Sequence, residues 1–199
     1  MPKKKCPECK SENVMPIIYG YIDDPEAMER IKTHLPKSKM IILLRNPVEQ
    51  IYSQYQKFVT QGFEIENLEN LMKDDENRLK IFTERCENNI MKSYTAWFYI
   101  PYFSFAKYVT YIRDALRLFP KEQFLFLKTE DLKNNPQNVV TKCFEFLELD
   151  DYSIKKEFHS RKRKYATTLS TELRKQLSDY FKPFNEELEE LLEMKLNWS

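Results

Sequence analysis

Glycine is nearly absent. Gly20 and Gly62 are the only two in 199 residues, where average usage is about 7%. Loops that cradle phosphate need backbone free to take positive φ and to approach the ligand closely. A Walker loop and a dinucleotide-binding fingerprint are therefore excluded. Long apolar runs are absent too. The longest aliphatic stretch is Met40 to Leu44, and the aromatic stretch Trp97 to Phe103 is broken by Pro101; a bilayer span needs roughly 20 residues. Met1-Pro2-Lys3-Lys4-Lys5 is basic with no apolar segment behind it, unlike a signal peptide. Nor is there a charge excess. Lysine and arginine number 32 against 31 acids, which gives no general drive toward nucleic acid or an anionic membrane. Any anion site must be local. Cysteines number four, with Cys86 and Cys143 isolated, so no secreted disulfide framework is indicated. A soluble cytoplasmic protein with no membrane span is expected.

What is present is a chain with 42% apolar residues, enough for one real core. Asp24 is suited to cap a helix that Pro25 begins, carrying Met28, Ile31 and Leu35 at helical spacing until Pro36. Met40-Ile41-Ile42-Leu43-Leu44 reads as a buried parallel strand. Asn46 as cap, Pro47 and Glu49 restart a helix that runs to about Thr60, ended by Gly62. Residues 67–93 read as a charged, partly exposed helix. Residues 104–118 read as one amphipathic helix with Phe105, Tyr108, Ile112, Ala115 and Leu116 on one side. Phe124 to Leu127 is the second strand. Pro136 to Leu147 is a helix facing Val139, Val140, Phe144 and Leu147 to the core, and two helices, 170–181 and 183–195, close the chain. Alternating strands and helices predict an α/β fold with a reduced parallel sheet. The leader, 1–23, is set apart from residues 24–199.

The sharpest feature is the passage from the first strand through Arg45-Asn46-Pro47 into a capped helix. The C-terminal edge of a parallel sheet is where α/β proteins bind ligands. A helix N-terminus there adds N–H groups and a partial positive charge. Arg45 adds a guanidinium that can fork onto phosphate. Ser53 lies two helical turns beyond Asn46, on the same face. Arg45 and Ser53 could grip one phosphate. Equally, Arg45 could be a surface charge and Ser53 a neutral helix residue.

These residues carry a resemblance. Pro25 through Pro36, followed by Lys39 to Tyr55, is similar to the motif with which sulfotransferases hold the 3′-phosphate of 3′-phosphoadenosine-5′-phosphosulfate (PAPS). In that family, the arginine and serine of Arg-x-Pro-x-x-x-x-x-Ser are the phosphate ligands. Arg45 and Ser53 match in type and spacing, while Gln50 stands where arginine is frequent. Leu118-Phe119-Pro120 before the second strand, Thr129-Glu130-Asp131-Leu132, Asn135-Pro136 and Phe144 to Leu149 follow in the family's order. Phe181 to Leu188 and Trp198 resemble the close of carbohydrate-type and heparan-sulfate-type members. The resemblance implies a P-loop-NTPase-like sulfotransferase fold flanked by helices, PAPS or adenosine 3′,5′-bisphosphate as ligand, and a hydroxyl acceptor of carbohydrate type. Arg161-Lys162-Arg163-Lys164 could be a solvated loop, a localisation signal or a nucleic-acid patch. The resemblance makes Arg163 a further phosphate contact, with Lys162 where a glycine is expected.

The family's Lys-x-Gly-Thr loop, which holds the 5′-phosphosulfate, has no match in residues 1–38, and Ile17 to Tyr21 stand where a lysine and an acid are expected. No catalytic base is identified. Poor sulfuryl transfer by this chain alone is the expectation. The alternatives are a nucleotide-binding remnant without activity and a zinc-knuckle adaptor. The adaptor reading rests on Cys6-Pro7-Glu8-Cys9. Cys6 and Cys9 make half of a zinc site; otherwise they are free thiols in a loose leader, and no helix start follows Cys9 to favour a redox role. His34 is read as a helix-end residue, and His159 adjoins the basic loop.

Overall fold

Asp24 and Asn46 each turn the chain into a helix by the same device. In the computed structural model, which describes residues 22, 24–87, 99–150, 152–154 and 168–198, the Asp24 carboxylate accepts the Ala27 amide at 3.1 Å, and α1 runs Pro25–His34. The Asn46 side chain accepts the Val48 amide at 2.9 Å, and α2 runs Pro47–Thr60. Each cap satisfies an amide that has no carbonyl partner within the helix. Glu49 does not close a capping box. It pairs with Arg174 on the last helix. Beyond α2, Gly62 takes φ +74, a conformation that a side chain would strain.

Strand β1 (Met40–Leu44) and strand β2 (Phe124–Lys128) pair in parallel, with Met40 opposite Phe124 and Leu44 opposite Lys128. They are the only strands among the described residues. The expectation of a strand buried on both faces is corrected for β1. Met40 and Ile42 face the helices, whereas Ile41 is 41% and Leu43 48% exposed.

Between the strands lie α3 (Leu68–Glu87), α4 (Tyr102–Phe105) and α5 (Tyr108–Leu118). The single helix expected over 104–118 is therefore two, broken at Ala106–Lys107. The cause is a divided core. Tyr102, Phe103 and Ala106 pack with α2, α3 and the last helix, whereas Val109 and Ile112 pack with β1 and the C-terminal tail. Asp75 on α3 caps the start of α4 by accepting the amides of Phe103 at 2.9 Å and Ser104 at 2.7 Å. Helix α3 is not simply a charged surface element, since Asp75 and Arg78 are buried. Residues 88–93 of the expected helix lie outside the described residues.

A short turn, Lys121–Gln123, leads into β2. Helices α6 (Thr129–Asn134), α7 (Pro136–Leu147) and α8 (Thr171–Leu192) follow. The sequence reading missed α6. It also split α8 at Pro183, which the helix instead contains. An interior proline costs about 3 kcal/mol. The stripe Leu173, Leu177, Phe181, Leu188 and Leu192 is buried on both sides of it, and each such side chain contributes about 1.5–3 kcal/mol. Burial therefore outweighs the proline. Leu147, assigned to the core, is exposed, and so is Leu35, the last of the helically spaced positions before Pro36. Among the described residues no helix is long and apolar enough to cross a membrane.

Candidate functional site

The end of β1 is held by side chains from two other elements. The Leu44 carbonyl accepts from Thr129 Oγ1 at 2.8 Å, and the Asn46 amide donates to Glu130 Oε1 at 3.4 Å. Both partners come from α6, so the helix missed in the sequence braces the strand end. From the other side comes Tyr108, at the start of α5. Burial pushes its phenol well above the usual range, the positive charge of Arg45 pulls it back, and the Glu130 carboxylate pushes it up again. A backbone hydrogen bond from Arg45 also favours the ionised phenol. The Tyr108 ring packs on Trp198, with centroids 6.1 Å apart.

Three polar atoms around this strand end are buried with no hydrogen-bond partner among the described residues: Arg45 Nε, Glu130 Oε2 and Trp198 Nε1. An unsatisfied buried polar atom costs about 1–3 kcal/mol, more when charged. Their concentration here marks a place where a polar ligand would recover lost hydrogen bonds.

Arg45 opens on a cleft of about 580 Å³. Its polar wall is Arg45, Gln50, Gln54 and Thr129, with Tyr102, Tyr108 and Tyr111. The remainder is apolar: Ile22, then Met28 and Ile31 of α1, the five residues of β1, and Phe105 and Ala106 at the end of α4. Ser53 is half-buried on α2 and does not line this cleft, although Gln50 and Gln54 on the same helix do. The helix N-terminus is also less open than the sequence suggests, because the Val48 amide is spent on the Asn46 cap and the Asn46 amide on Glu130. The guanidinium is the cationic group facing the cleft among its described lining.

Arg163, Cys6, Cys9 and His159 lie outside the described residues. Among the described residues no group of three or more histidine, cysteine or acidic side chains is placed to hold a metal ion. Cys143 is a free thiol pushed up by desolvation, and His34 is the exposed last residue of α1. The residues that sequence reading passed over are Thr129, Glu130, Tyr108 and Gln54. Thr129 and Glu130 were legible only as a motif following a strand.

This geometry coincides with a family match. The family described as "Sulfotransferase domain" matches residues 21–189, most of the chain. The chain belongs to the sulfotransferase family. It is 30% identical over 181 residues to rat "Carbohydrate sulfotransferase 15", a match covering 79% of this chain and 30% of that protein. It is 24% identical over 153 residues to the Caenorhabditis elegans "Bifunctional heparan sulfate N-deacetylase/N-sulfotransferase 1", covering 71% of this chain and 16% of that one. This sulfotransferase chain thus spans less than a third of the length of these curated relatives. A solved sulfotransferase from Alicyclobacillus acidocaldarius superposes with a TM-score of 0.68 at 23% identity, covering 89% of this chain and 64% of that one. The sulfotransferase fold, α/β with a small parallel sheet, is as the sequence predicts.

Proposed function

We propose that Arg45, with Ser53 and Arg163, binds the 3′-phosphate of PAPS or of adenosine 3′,5′-bisphosphate. In this reading the domain serves sulfuryl transfer to a hydroxyl group of a carbohydrate acceptor. The observation that carries the proposal is the Nε of Arg45, buried with no hydrogen-bond partner among the described residues, at the C-terminal end of a parallel strand. A phosphate oxygen satisfies that donor with a charge-assisted bond, where a neutral ligand would not offset the charge. Gln50 and Gln54 add amide groups one helical turn apart on the same wall. The clamp of Thr129, Glu130 and Tyr108 keeps the Arg45 backbone in place, so little ordering entropy is lost on binding.

PAPS, when bound, supplies the activated sulfuryl group. What this chain's residues contribute is binding and orientation at the 3′ end. The names of the relatives support the acceptor class: both are named as carbohydrate or heparan sulfate enzymes. A second reading, nucleotide binding without turnover, is favoured by the glycine count, since only Gly20 and Gly62 are available to any phosphosulfate loop. Calorimetric titration separates a 3′-phosphate site from a general nucleotide site. Adenosine 3′,5′-bisphosphate should bind more tightly than adenosine 5′-monophosphate by about tenfold or more, the value of one charge-assisted contact. Equal affinities refute the assignment.

A further inference from the structure

The tail after α8 crosses the end of the sheet that carries Arg45. Lys128, the last residue of β2 and the partner of Leu44, donates to the Lys195 carbonyl at 3.4 Å. Glu189 takes the next two amides, of Leu196 and Asn197. Asn197 adopts φ +57, a left-handed conformation that asparagine tolerates better than most residues. Leu196 and Trp198 then bury against Leu44, Val109 and Ile112. Chain ends are normally poorly ordered unless tied down. This one is tied at three successive residues, Lys195, Leu196 and Asn197, and leads to a buried indole.

Trp198 meets Tyr108, with the two rings inclined at 57°. Tyr108 lines the cleft beside Arg45, and its hydroxyl accepts the Arg45 backbone N–H. Tyr108 therefore stands between the tail and the anion group and touches both. Helix α5 begins at Tyr108 with no side-chain cap, and helix ends fray, so the helix alone does not fix this residue. The Trp198 indole nitrogen is buried with no hydrogen-bond partner among the described residues. A buried tryptophan usually satisfies that nitrogen; here the ring contact is what the position retains.

We propose that Trp198 is a positioning residue of the Arg45 site: it holds the Tyr108 ring, and through the Tyr108 hydroxyl the Arg45 backbone, where the guanidinium can meet an anion. The inference rests on the 3′-phosphate reading of Arg45. It also makes the tail and the site partners in linkage, which is reciprocal. A docked tail improves anion binding, so a bound anion tightens the tail by the same factor.

Two measurements on the full chain test it, with adenosine 3′,5′-bisphosphate as the probe. In the Trp97→Phe background, acrylamide quenching of Trp198 should fall as the probe saturates the site. In calorimetric titration, Trp198→Ala should weaken probe binding about three- to tenfold. Trp198→Phe should restore most of that affinity, because a ring still packs on Tyr108. Tyr108→Phe keeps the ring but removes the acceptor for the Arg45 amide, and should weaken binding as well. Adding Trp198→Ala to it should cost little more, since the two residues act on one path. A tail that only stabilises the fold would lower the melting midpoint and leave affinity below that midpoint untouched. Unchanged affinity in Trp198→Ala, or fully additive losses in the double variant, overturns the inference and leaves Arg45 as the anion group. Should Trp198→Ala not fold, the quenching decides: no change on saturation overturns the inference. Absence of probe binding in the wild type, or binding that survives Arg45→Ala, overturns the 3′-phosphate reading and this inference with it.

Discussion

Arg78 on α3 and Glu64, in the turn after α2, form an ion pair at 2.6 Å with side chains only 6% and 4% exposed. Arg78 also donates to the Ile100 carbonyl at 3.1 Å, and the Tyr102 hydroxyl donates to Glu64 at 3.3 Å. The pair thus ties α3 to the segment that carries Tyr102 into the cleft wall. Removing one partner strands the other as a buried charge, which costs about 3–5 kcal/mol. Arg78→Met should lower stability by that amount in urea denaturation. The double variant Arg78→Met, Glu64→Leu should recover much of the loss, because no charge is left unpaired. A single variant costing under about 1 kcal/mol would mean that the pair is solvated.

Pro183 interrupts the hydrogen-bond ladder of α8, leaving the Asp179 carbonyl without its helical donor. The residue is exposed, so nothing in the core selects it. Pro183→Ala should stabilise the protein by up to about 3 kcal/mol, read as a higher urea midpoint. A loss of stability would show that the helix needs the bend a proline imposes.

Glu189 pins the C-terminal tail. Its carboxylate accepts the Leu196 amide at 2.7 Å and the Asn197 amide at 3.2 Å, and it pairs with Lys195 at 3.0 Å. The Leu196 amide foremost, then Lys195, hold its carboxyl below the usual glutamate range. A folded-state value below the unfolded one gives stability that is present above the ordinary glutamate range and lost as pH falls through the lowered value. Trp198 lies beyond this anchor, packed on Tyr108. In a Trp97→Phe background, Trp198 fluorescence should shift toward the exposed form as pH falls through that window. Glu189→Gln should flatten the transition. An unchanged acid transition in Glu189→Gln would place the titration elsewhere.

Much of this was legible in the sequence, and the parts that were not share a cause. Asp24 with Pro25 and Asn46 with Pro47 announced two helix starts because capping chemistry is local. Met40 to Leu44 announced a strand by composition alone. Pro183 misled, since its local cost is offset only by Leu177, Phe181 and Leu188 meeting partners distant in sequence. The start of α4 at Tyr102 is capped by Asp75, 28 residues from the Phe103 amide it accepts. The place of Arg45 between strand and helix was legible. The brace of Glu130, 84 residues from Asn46, was not.

Activity should be weak. Holding a nucleotide at its 3′-phosphate lowers KM without lowering the chemical barrier. Preorganised donors at the leaving phosphate oxygen are worth about 2.7–4 kcal/mol each, and Gly20 and Gly62 are the two glycines of this sequence from which a phosphate-holding loop could be built. Given labelled PAPS and mixed glycan acceptors, this chain alone should turn over far below the ordinary enzyme range of about 1 s⁻¹ and above. Turnover within that range would show that other residues furnish those donors.

The central claim is that Arg45 is the anion-binding group of this sulfotransferase domain, and the thermal shift produced by adenosine 3′,5′-bisphosphate tests it most directly. A ligand that binds only the folded state raises apparent stability with its concentration. The wild type should show a rising midpoint. Arg45→Ala, losing a charge-assisted contact of about 1.5–3 kcal/mol, should show none over the same concentrations while keeping its unliganded fold by circular dichroism. Equal shifts in wild type and Arg45→Ala would contradict the account.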